Sequence, residues 1–145
     1  MTALVADSGL EALCAIARFY RVPADPSQLA KSLALGETLA TGRDIMRAAK
    51  LIGLKARTIG DVASERLASI PAPAIIRTKA GQFLVFAGRL PNGLYRIVDP
   101  INRLDRMATL EEIAGHIDPV LILVARRPFG AGADPTLSGY RWVLP

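Results

Sequence analysis

The sequence has few of the residues that form disulfides or metal clusters. Its 145 residues include one cysteine, Cys14, and one histidine, His116. A lone cysteine excludes an internal disulfide and a cysteine-based metal cluster, and it is typical of a reducing compartment. No apolar run approaches the roughly 18–20 residues of a membrane span, and the N-terminus lacks the basic segment and apolar segment of a secretory signal. These absences predict a domain that is itself soluble and has no metal site.

The composition favours one domain with a true core, because 51% of the residues are apolar at this chain length. The formal net charge is +5. An ordinary solvated basic surface explains such an excess, and an acidic partner or a membrane surface are the sharper interpretations. No dense block of lysine and arginine with interleaved aromatic residues occurs, so nucleic acid is not expected as a partner.

The order of periodic segments predicts an α+β fold with the helices first. Helices are predicted over residues 9–20, from 25 towards the loop at 36–40, and from 41 to 53, because apolar residues recur at helical spacing behind capping residues. Strands are predicted over 54–58, 74–77, 82–88, 94–98, around 107, and over 120–124, with short helical segments at 61–69 and 109–116. We expect an antiparallel sheet packed against the first helix.

The composition changes after residue 127. Residues 128–135 show no periodicity and are predicted to be a linker. Tyr140, Arg141 and Trp142 stand beside apolar residues, as at the interfacial edge of a membrane segment. We therefore expect one domain over residues 1–127 and, over 128–145, a linker toward a membrane domain that this sequence does not contain.

The start of the first helix allows two interpretations. Ser8 is a good N-cap, and Glu11 three residues later completes a capping box. A small polar residue at a helix tip also occupies the place of a peptidase nucleophile, because the helix dipole and free N–H groups favour negative charge there.

Three short motifs resemble the signature of the C39 peptidases, the papain-like domains at the N-terminus of certain ABC exporters. Residues 7–10, Asp-Ser-Gly-Leu, with Leu13, resemble the start of the catalytic helix, in which the family has cysteine as nucleophile. Gly81, Gln82 and Phe83 resemble the strand that carries the family's histidine. Asp99 and Pro100 resemble the Asp-Pro after the next strand. Active members cut double-glycine leader peptides, and the resemblance implies a papain-like C39 fold.

The same resemblance implies a degenerate active site. Ser8 holds the nucleophile position, Gln82 the general-base position and Thr2 the position of the oxyanion glutamine, whereas Asp99 remains. A serine hydroxyl is hardly ionised near neutral pH without an adjacent base, and a glutamine amide cannot take its proton. We therefore expect a pseudo-peptidase with no catalytic residue, in which Ser8 serves mainly as a cap. Asp99 is either a turn former or a partner of the Gln82 amide.

The implied function is that of the C39-like domain of type I secretion ABC transporters, including those that export RTX-type proteins. Such a domain would hold an unfolded substrate before ATP-driven export, with no cofactor of its own. The resemblance implies ATP and Mg in the full-length transporter, membrane and nucleotide-binding domains in the same chain, a periplasmic adaptor protein, and a place at the cytoplasmic face of the bacterial inner membrane. A residual leader peptidase using Ser8 and a purely structural or gating domain are the alternatives.

An unfolded segment can be bound by adding a strand to a sheet edge, with side chains in shallow pockets. The candidate substrate-binding residues are Tyr20, Phe83 and Tyr95, and ordinary sheet packing is the alternative for each. Cys14 is expected in the core. His116 is expected as a solvated residue or a charge near a helix C-terminus rather than a base.

Overall fold

The computed structural model describes residues 6–126. In this part of the chain the helices are α1 (Ser8–Phe19), α2 (Pro26–Ser32), α3 (Gly42–Leu51) and α4 (Leu110–His116), with a 3₁₀ helix at Ser64–Ser69. The strands are β1 (Leu54–Ile59), β2 (Ala74–Thr78), β3 (Phe83–Arg89), β4 (Tyr95–Asp99), β5 (Leu104–Ala108) and β6 (Ile117–Arg126). The predicted helices-first α+β fold is confirmed, and each predicted strand is present, several of them longer than expected.

One sheet contains all six strands in the order β1-β6-β2-β3-β4-β5, and every pair is antiparallel. The last strand, β6, inserts between β1 and β2. Neighbouring residues Leu121 and Ile122 are both buried although they point to opposite faces, as expected of a strand covered on both sides. The apolar run at 120–124 therefore predicted an interior strand correctly.

The sheet is covered on both faces, whereas the sequence predicted only the layer that contains the first helix. On one face α1, α2 and α3 pack on residues of β1, β2, β3 and β6 such as Leu54, Ile75, Val85 and Ile122. On the other face the 3₁₀ helix and α4 pack on a second cluster: Ala74, Ile76, Phe86, Tyr95, Ile97 and Leu121. The second layer leaves β5 as an exposed edge strand.

Three helix starts follow the sequence rules. Asp25 caps α2 with Pro26 at its first turn, and the side chains of Thr41 and Thr109 form complete capping boxes at α3 and α4. The prediction for α1 is wrong. Its N-cap is Asp7, whose carboxylate accepts the Leu10 N–H, so Ser8 is the first helical residue and forms no capping box with Glu11.

In residues 6–126 no helix is long and apolar enough to cross a bilayer. The same residues contain no group of three or more histidine, cysteine, aspartate or glutamate side chains that could hold a metal ion. The predictions for Thr2 and for the linker at 128–145 lie outside the described residues.

Candidate functional site

Ser8 joins α1 to the sheet. Its half-buried hydroxyl oxygen accepts a hydrogen bond from the backbone N–H of Phe83, the first residue of β3, at 2.9 Å. The first-turn position fixes this oxygen against the strand, because a capping residue lies half outside the helix and would direct its oxygen to the helix itself. Ser8 therefore connects two elements that are 75 residues apart in sequence.

Asp7 fixes the position of Ser8. One carboxylate oxygen accepts the Leu10 N–H at 3.1 Å and caps the helix, and the other accepts the N–H of Ala40 at 2.7 Å. Ala40 is buried just before α3. A single carboxylate thus positions the starts of α1 and α3 against each other.

Gly9 lets the helix approach the strand closely. A Cβ atom at this residue would lie 2.8 Å from Cδ1 of Ile45 on α3 and 3.2 Å from the ring of Phe83. Real Cβ contacts are longer than the first of these distances, so a side chain at Gly9 would displace α3 or β3. Close packing at Gly9 is what brings the Ser8 hydroxyl within hydrogen-bonding distance of β3.

Gln82 and Asp99 line one cavity beside this contact. The Asp99 carboxylate accepts the backbone N–H groups of Ile101 and Asn102, and the Asn102 side-chain amide at 2.9 Å. Gln82 lies near enough for its side-chain amide to favour the ionised form of this carboxylate. Burial raises the pKa of Asp99, but the hydrogen bonds from Asn102, Ile101 and Gln82 outweigh it and hold the pKa below its usual value.

The three triad positions are connected through Phe83 and through the cavity that Gln82 and Asp99 share. Ser8 contacts the N–H of Phe83, and Gln82 directly precedes that residue. Asp99 closes the turn after β4, and its pairing with the Gln82 amide stays a prediction.

His116 does not contribute a base to Ser8. It is exposed in the last turn of α4, where Nδ1 lies 2.7 Å from the carbonyl oxygen of Glu112. A carbonyl only accepts, so Nδ1 carries the proton of this bond. His116 lines a cavity of about 580 Å³ together with Gln82 and Asp99, but Ser8 does not line it. Within residues 6–126, no imidazole contacts the Ser8 hydroxyl.

Cys14 is buried on the core side of α1, as expected. Burial, followed by the negative charges of Glu11 and Asp25, raises the pKa of its thiol to about 11, and Arg18 opposes the shift. The thiolate is therefore scarce near neutral pH, and this cysteine cannot replace the missing nucleophile.

The three candidate substrate-binding residues lie apart. Phe83 is buried on the α1 face of the sheet. Tyr95 is buried on the opposite face, where its ring stacks on Phe86 with a centroid distance of 5.8 Å. The half-buried Tyr20 donates its hydroxyl to the carbonyl of Val124. Of the three, only Phe83 lines a large cavity, and substrate binding at these residues stays a prediction.

The sequence did not predict the largest described cavity, a groove of about 1070 Å³ between α3 and strands β1, β2 and β6. Its apolar side chains include Leu39, which is 53% exposed, and Val120, which is 44% exposed. Its charged side chains are five cations and one carboxylate: Arg43, Arg47, Lys50, Lys55, Arg77 and Asp118. We call this cavity the basic groove. The spacing of the cations at 43, 47 and 50 could have predicted a basic face on α3.

Comparison with family models decides the family. The model of the peptidase C39 family matches residues 3–128. The chain belongs to the peptidase C39 family.

Solved C39 domains have the same fold. The chain is 21% identical to the N-terminal peptidase C39-like domain of the toxin secretion ATP-binding protein from Vibrio parahaemolyticus, with 85% of this chain and 99% of that one covered and a TM-score of 0.69. It is 20% identical to a double-glycine motif protease from an AMS/PCAT transporter in complex with its leader peptide, with 88% of each chain covered and a TM-score of 0.73.

A third C39 structure gives a similar result. The peptidase domain of Streptococcus ComA, a bifunctional ABC transporter in a quorum-sensing pathway, is 22% identical, with 83% of this chain and 92% of that one covered and a TM-score of 0.71. No curated protein matches the chain significantly. At these identities the likeness establishes the fold of the domain and leaves its activity to be argued from its own residues.

Proposed function

We propose that this C39 domain binds an unfolded polypeptide for an ABC exporter of the type I secretion class and does not cut it. The observation that carries the proposal is the content of the three triad positions. Ser8 receives a hydrogen bond from the Phe83 N–H, and Gln82, the residue before Phe83, carries an amide that acts on Asp99. Neither partner can take the hydroxyl proton.

The missing base matters because serine needs one. A hydroxyl reacts as a nucleophile only when a neighbouring group accepts its proton, and an amide has no such capacity near neutral pH. Loss of the nucleophile–base unit of a hydrolase costs several orders of magnitude in rate. A lowered pKa keeps Asp99 ionised, but residue 82 offers it an amide rather than an imidazole that it could orient.

Related domains support polypeptide binding as the remaining role. One neighbour belongs to a toxin secretion ATP-binding protein, and another was solved with a leader peptide bound. For this chain we propose an RTX-type or similar secreted substrate, held at the cytoplasmic face of the bacterial inner membrane. We also propose that ATP and Mg bind in another domain of the same transporter. The transporter would work with a periplasmic adaptor protein.

The basic groove is the surface best suited to hold the substrate. Leu39 and Val120 are exposed in the groove, where they can contact apolar side chains of the substrate. A folded substrate would bury such side chains. Phe83 links the groove to the Ser8 end of α1. Two of its cations are paired within the described chain, Arg47 with Asp44 and Arg77 with Asp118. The remaining cations favour an acidic substrate through long-range attraction, which speeds encounter and weakens with salt.

A binding experiment tests the proposal with reduced, carboxymethylated α-lactalbumin as an acidic unfolded probe and native α-lactalbumin as the folded control. We expect salt-sensitive binding of the unfolded form only. The double substitution Leu39→Ser and Val120→Ser should weaken it at least tenfold, since each removes roughly 1–2 kcal/mol of apolar contact. Leu104→Ser, at an exposed leucine outside the groove, should leave it unchanged. Equal binding of folded and unfolded forms would refute the proposal.

A second experiment separates the binding module from a residual peptidase. A fluorophosphonate probe should leave Ser8 unlabelled. The single substitution Ser8→Cys should give a thiol with ordinary reactivity, whereas Ser8→Cys with Gln82→His should give a thiol alkylated at lower pH, because an imidazole beside Asp99 stabilises the thiolate. Cys14 provides an internal control, since its raised pKa keeps it slow in the folded chain. Labelling of Ser8 in the unmodified chain would establish the peptidase instead.

A further inference from the structure

One end of the molecule, opposite the triad positions, is formed by three separate segments. Helices α1 and α3 start side by side at the other end, where Asp7 binds the N–H of Ala40. The Tyr20 hydroxyl donates to the carbonyl of Val124 near the end of β6, at 3.2 Å. Strand β1 starts at Leu54, paired with Arg126. We call the surface formed by residues 18–21, 50–55 and 124–126 the distal end.

The distal end combines exposed apolar side chains with positive charge. Phe19 is 70% exposed and Leu51 is 58% exposed. Arg18 and Arg21 flank Phe19, and all four side chains face solvent. The described segments that form this end contain no carboxylate.

The acidic residues nearest in sequence to Arg18 and Arg21 are not part of the distal end. These residues are Glu11 and Asp25, and both lie outside its segments. Arg18 and Arg21 therefore have no carboxylate within the distal end itself.

Stabilisation of the fold explains only some of the cationic and apolar side chains at the distal end. Arg18 and Lys50 lie in the last turns of α1 and α3, where cations stabilise the helix dipole. Arg21 lies beyond the helix and gains no such benefit. The Phe19 ring stands edge-on to Tyr20, with centroids 5.1 Å apart, and Tyr20 is anchored to β6. The fold thus presents a large aromatic ring to solvent in a fixed place.

We propose that the distal end contacts an anionic lipid surface. Phe19 and Leu51 would enter the interfacial region, and Arg18 and Arg21 would meet lipid phosphates, a combination that binds anionic membranes by apolar burial and electrostatic attraction. Strand β6 ends at this surface, so the sequence that follows starts here. That sequence contains the pair Tyr140 and Trp142, residue types that favour the membrane interface.

The proposal is independent of substrate holding. Lys50 and Lys55 lie where the basic groove meets the distal end, so they are left unchanged in the tests. Leu39 and Val120 report on the groove, whereas Phe19, Arg18 and Arg21 do not line it. The experiments can therefore contradict substrate binding in the basic groove without contradicting lipid binding at the distal end, and the reverse.

Vesicle co-sedimentation of the 145-residue chain tests the inference. We expect binding to vesicles of equal parts phosphatidylcholine and phosphatidylglycerol, and little binding to phosphatidylcholine alone. Arg18→Gln with Arg21→Gln should weaken it at least tenfold, since each cation near an anionic surface contributes about fivefold. Phe19→Ala with Leu51→Ala should also weaken it. The matched control, Arg103→Gln with Leu104→Ala, removes one cation and one exposed leucine at the start of β5 and should change nothing.

Three results would overturn the proposal. The first is no binding to the anionic vesicles. The second is equal binding by the distal variants and the unmodified chain, which would assign any affinity to residues outside the distal end. The third is loss of a dimer in the distal variants with vesicle binding intact, which would make this surface an interface between copies. The groove variants at Leu39 and Val120 should bind vesicles normally.

Discussion

The two ends of α1 differ in what their side chains do. At the N-terminal end, Asp7 and Ser8 direct their oxygens to backbone N–H groups of three other residues, and Gly9 packs without space to spare. At the C-terminal end, Phe19 faces solvent between two arginines. The N-terminal end is held by contacts to the sheet and to the segment before α3, whereas we propose that the other end meets a partner. Substitutions at the two ends should therefore have different effects.

The largest effect is expected from Asp7→Ala. The change removes the N-cap of α1 and leaves the N–H of buried Ala40 without an acceptor, so the free energy of unfolding should fall by about 2–4 kcal/mol. Urea unfolding measures it. Asp25→Ala is the matched control, because Asp25 caps α2 only and is exposed, and it should cost about 1 kcal/mol. Equal losses in the two variants would show that the Ala40 contact contributes nothing.

A smaller loss is expected from Gly9→Ala. The new methyl group meets Ile45 and the Phe83 ring, and such overpacking costs about 1–3 kcal/mol. Ile45→Val shortens the side chain that comes closest. The double variant should therefore lose less stability than the sum of the two single variants, as measured by a double-mutant cycle. Additive losses would mean that Ile45 is not the obstacle.

Ser8→Ala compares the two ends most directly. It leaves the N–H of Phe83 without its acceptor and should cost about 1–2 kcal/mol. Phe19→Ala at the other end should stay within about 0.5 kcal/mol, as surface substitutions usually do. Thermal or urea unfolding of the two variants checks both values. If Phe19→Ala cost as much as Ser8→Ala, the distal end would be part of the core instead of a free surface.

The weakest effect is expected in the acid response. Hydrogen bonds hold the pKa of Asp99 below that of the unfolded chain, so its ionised form stabilises the fold above the usual aspartate range, about pH 4. This contribution is lost as the pH falls through the lowered pKa. Asp99→Asn should make the acid limb of stability against pH shallower, and Asn102→Ala should do so in part. An unchanged acid limb in Asp99→Asn would show that the hydrogen bonds to the Asp99 carboxylate do not stabilise the fold.

The sequence predicted the parts of the fold that local chemistry determines. Capping residues located α2, α3 and α4, and the apolar run at 120–124 identified the interior strand. The cap of α1 was misassigned because Asp7 and Ser8 are both good capping residues. Their roles are separated by the N–H groups of Ala40 and Phe83, which lie 33 and 75 residues away in sequence.

The candidate site was only partly predictable for the same reason. The motif resemblance assigned Ser8, Gln82 and Asp99 to one degenerate site. In the structure Ser8 accepts the N–H of Phe83, the residue after Gln82, and Gln82 and Asp99 line one cavity. The basic groove requires β6 to pair with β1, a contact between residues more than 60 positions apart, which no local pattern reveals. Residue type alone suggested Tyr20, Phe83 and Tyr95 as binding residues, but it cannot show that Tyr95 and Phe83 face opposite sides of the sheet.

Gly9 has a consequence for how proteins of this family are classified. The residue that follows the nucleophile position is required here by steric fit between α1, α3 and β3, whether or not the neighbouring side chain performs chemistry. Packing alone therefore accounts for the glycine in this chain, and its presence does not indicate whether the domain is a protease. Distinguishing a protease from an inactive domain requires the identities of residues 8 and 82 together, because a hydroxyl nucleophile does not react without a group that accepts its proton.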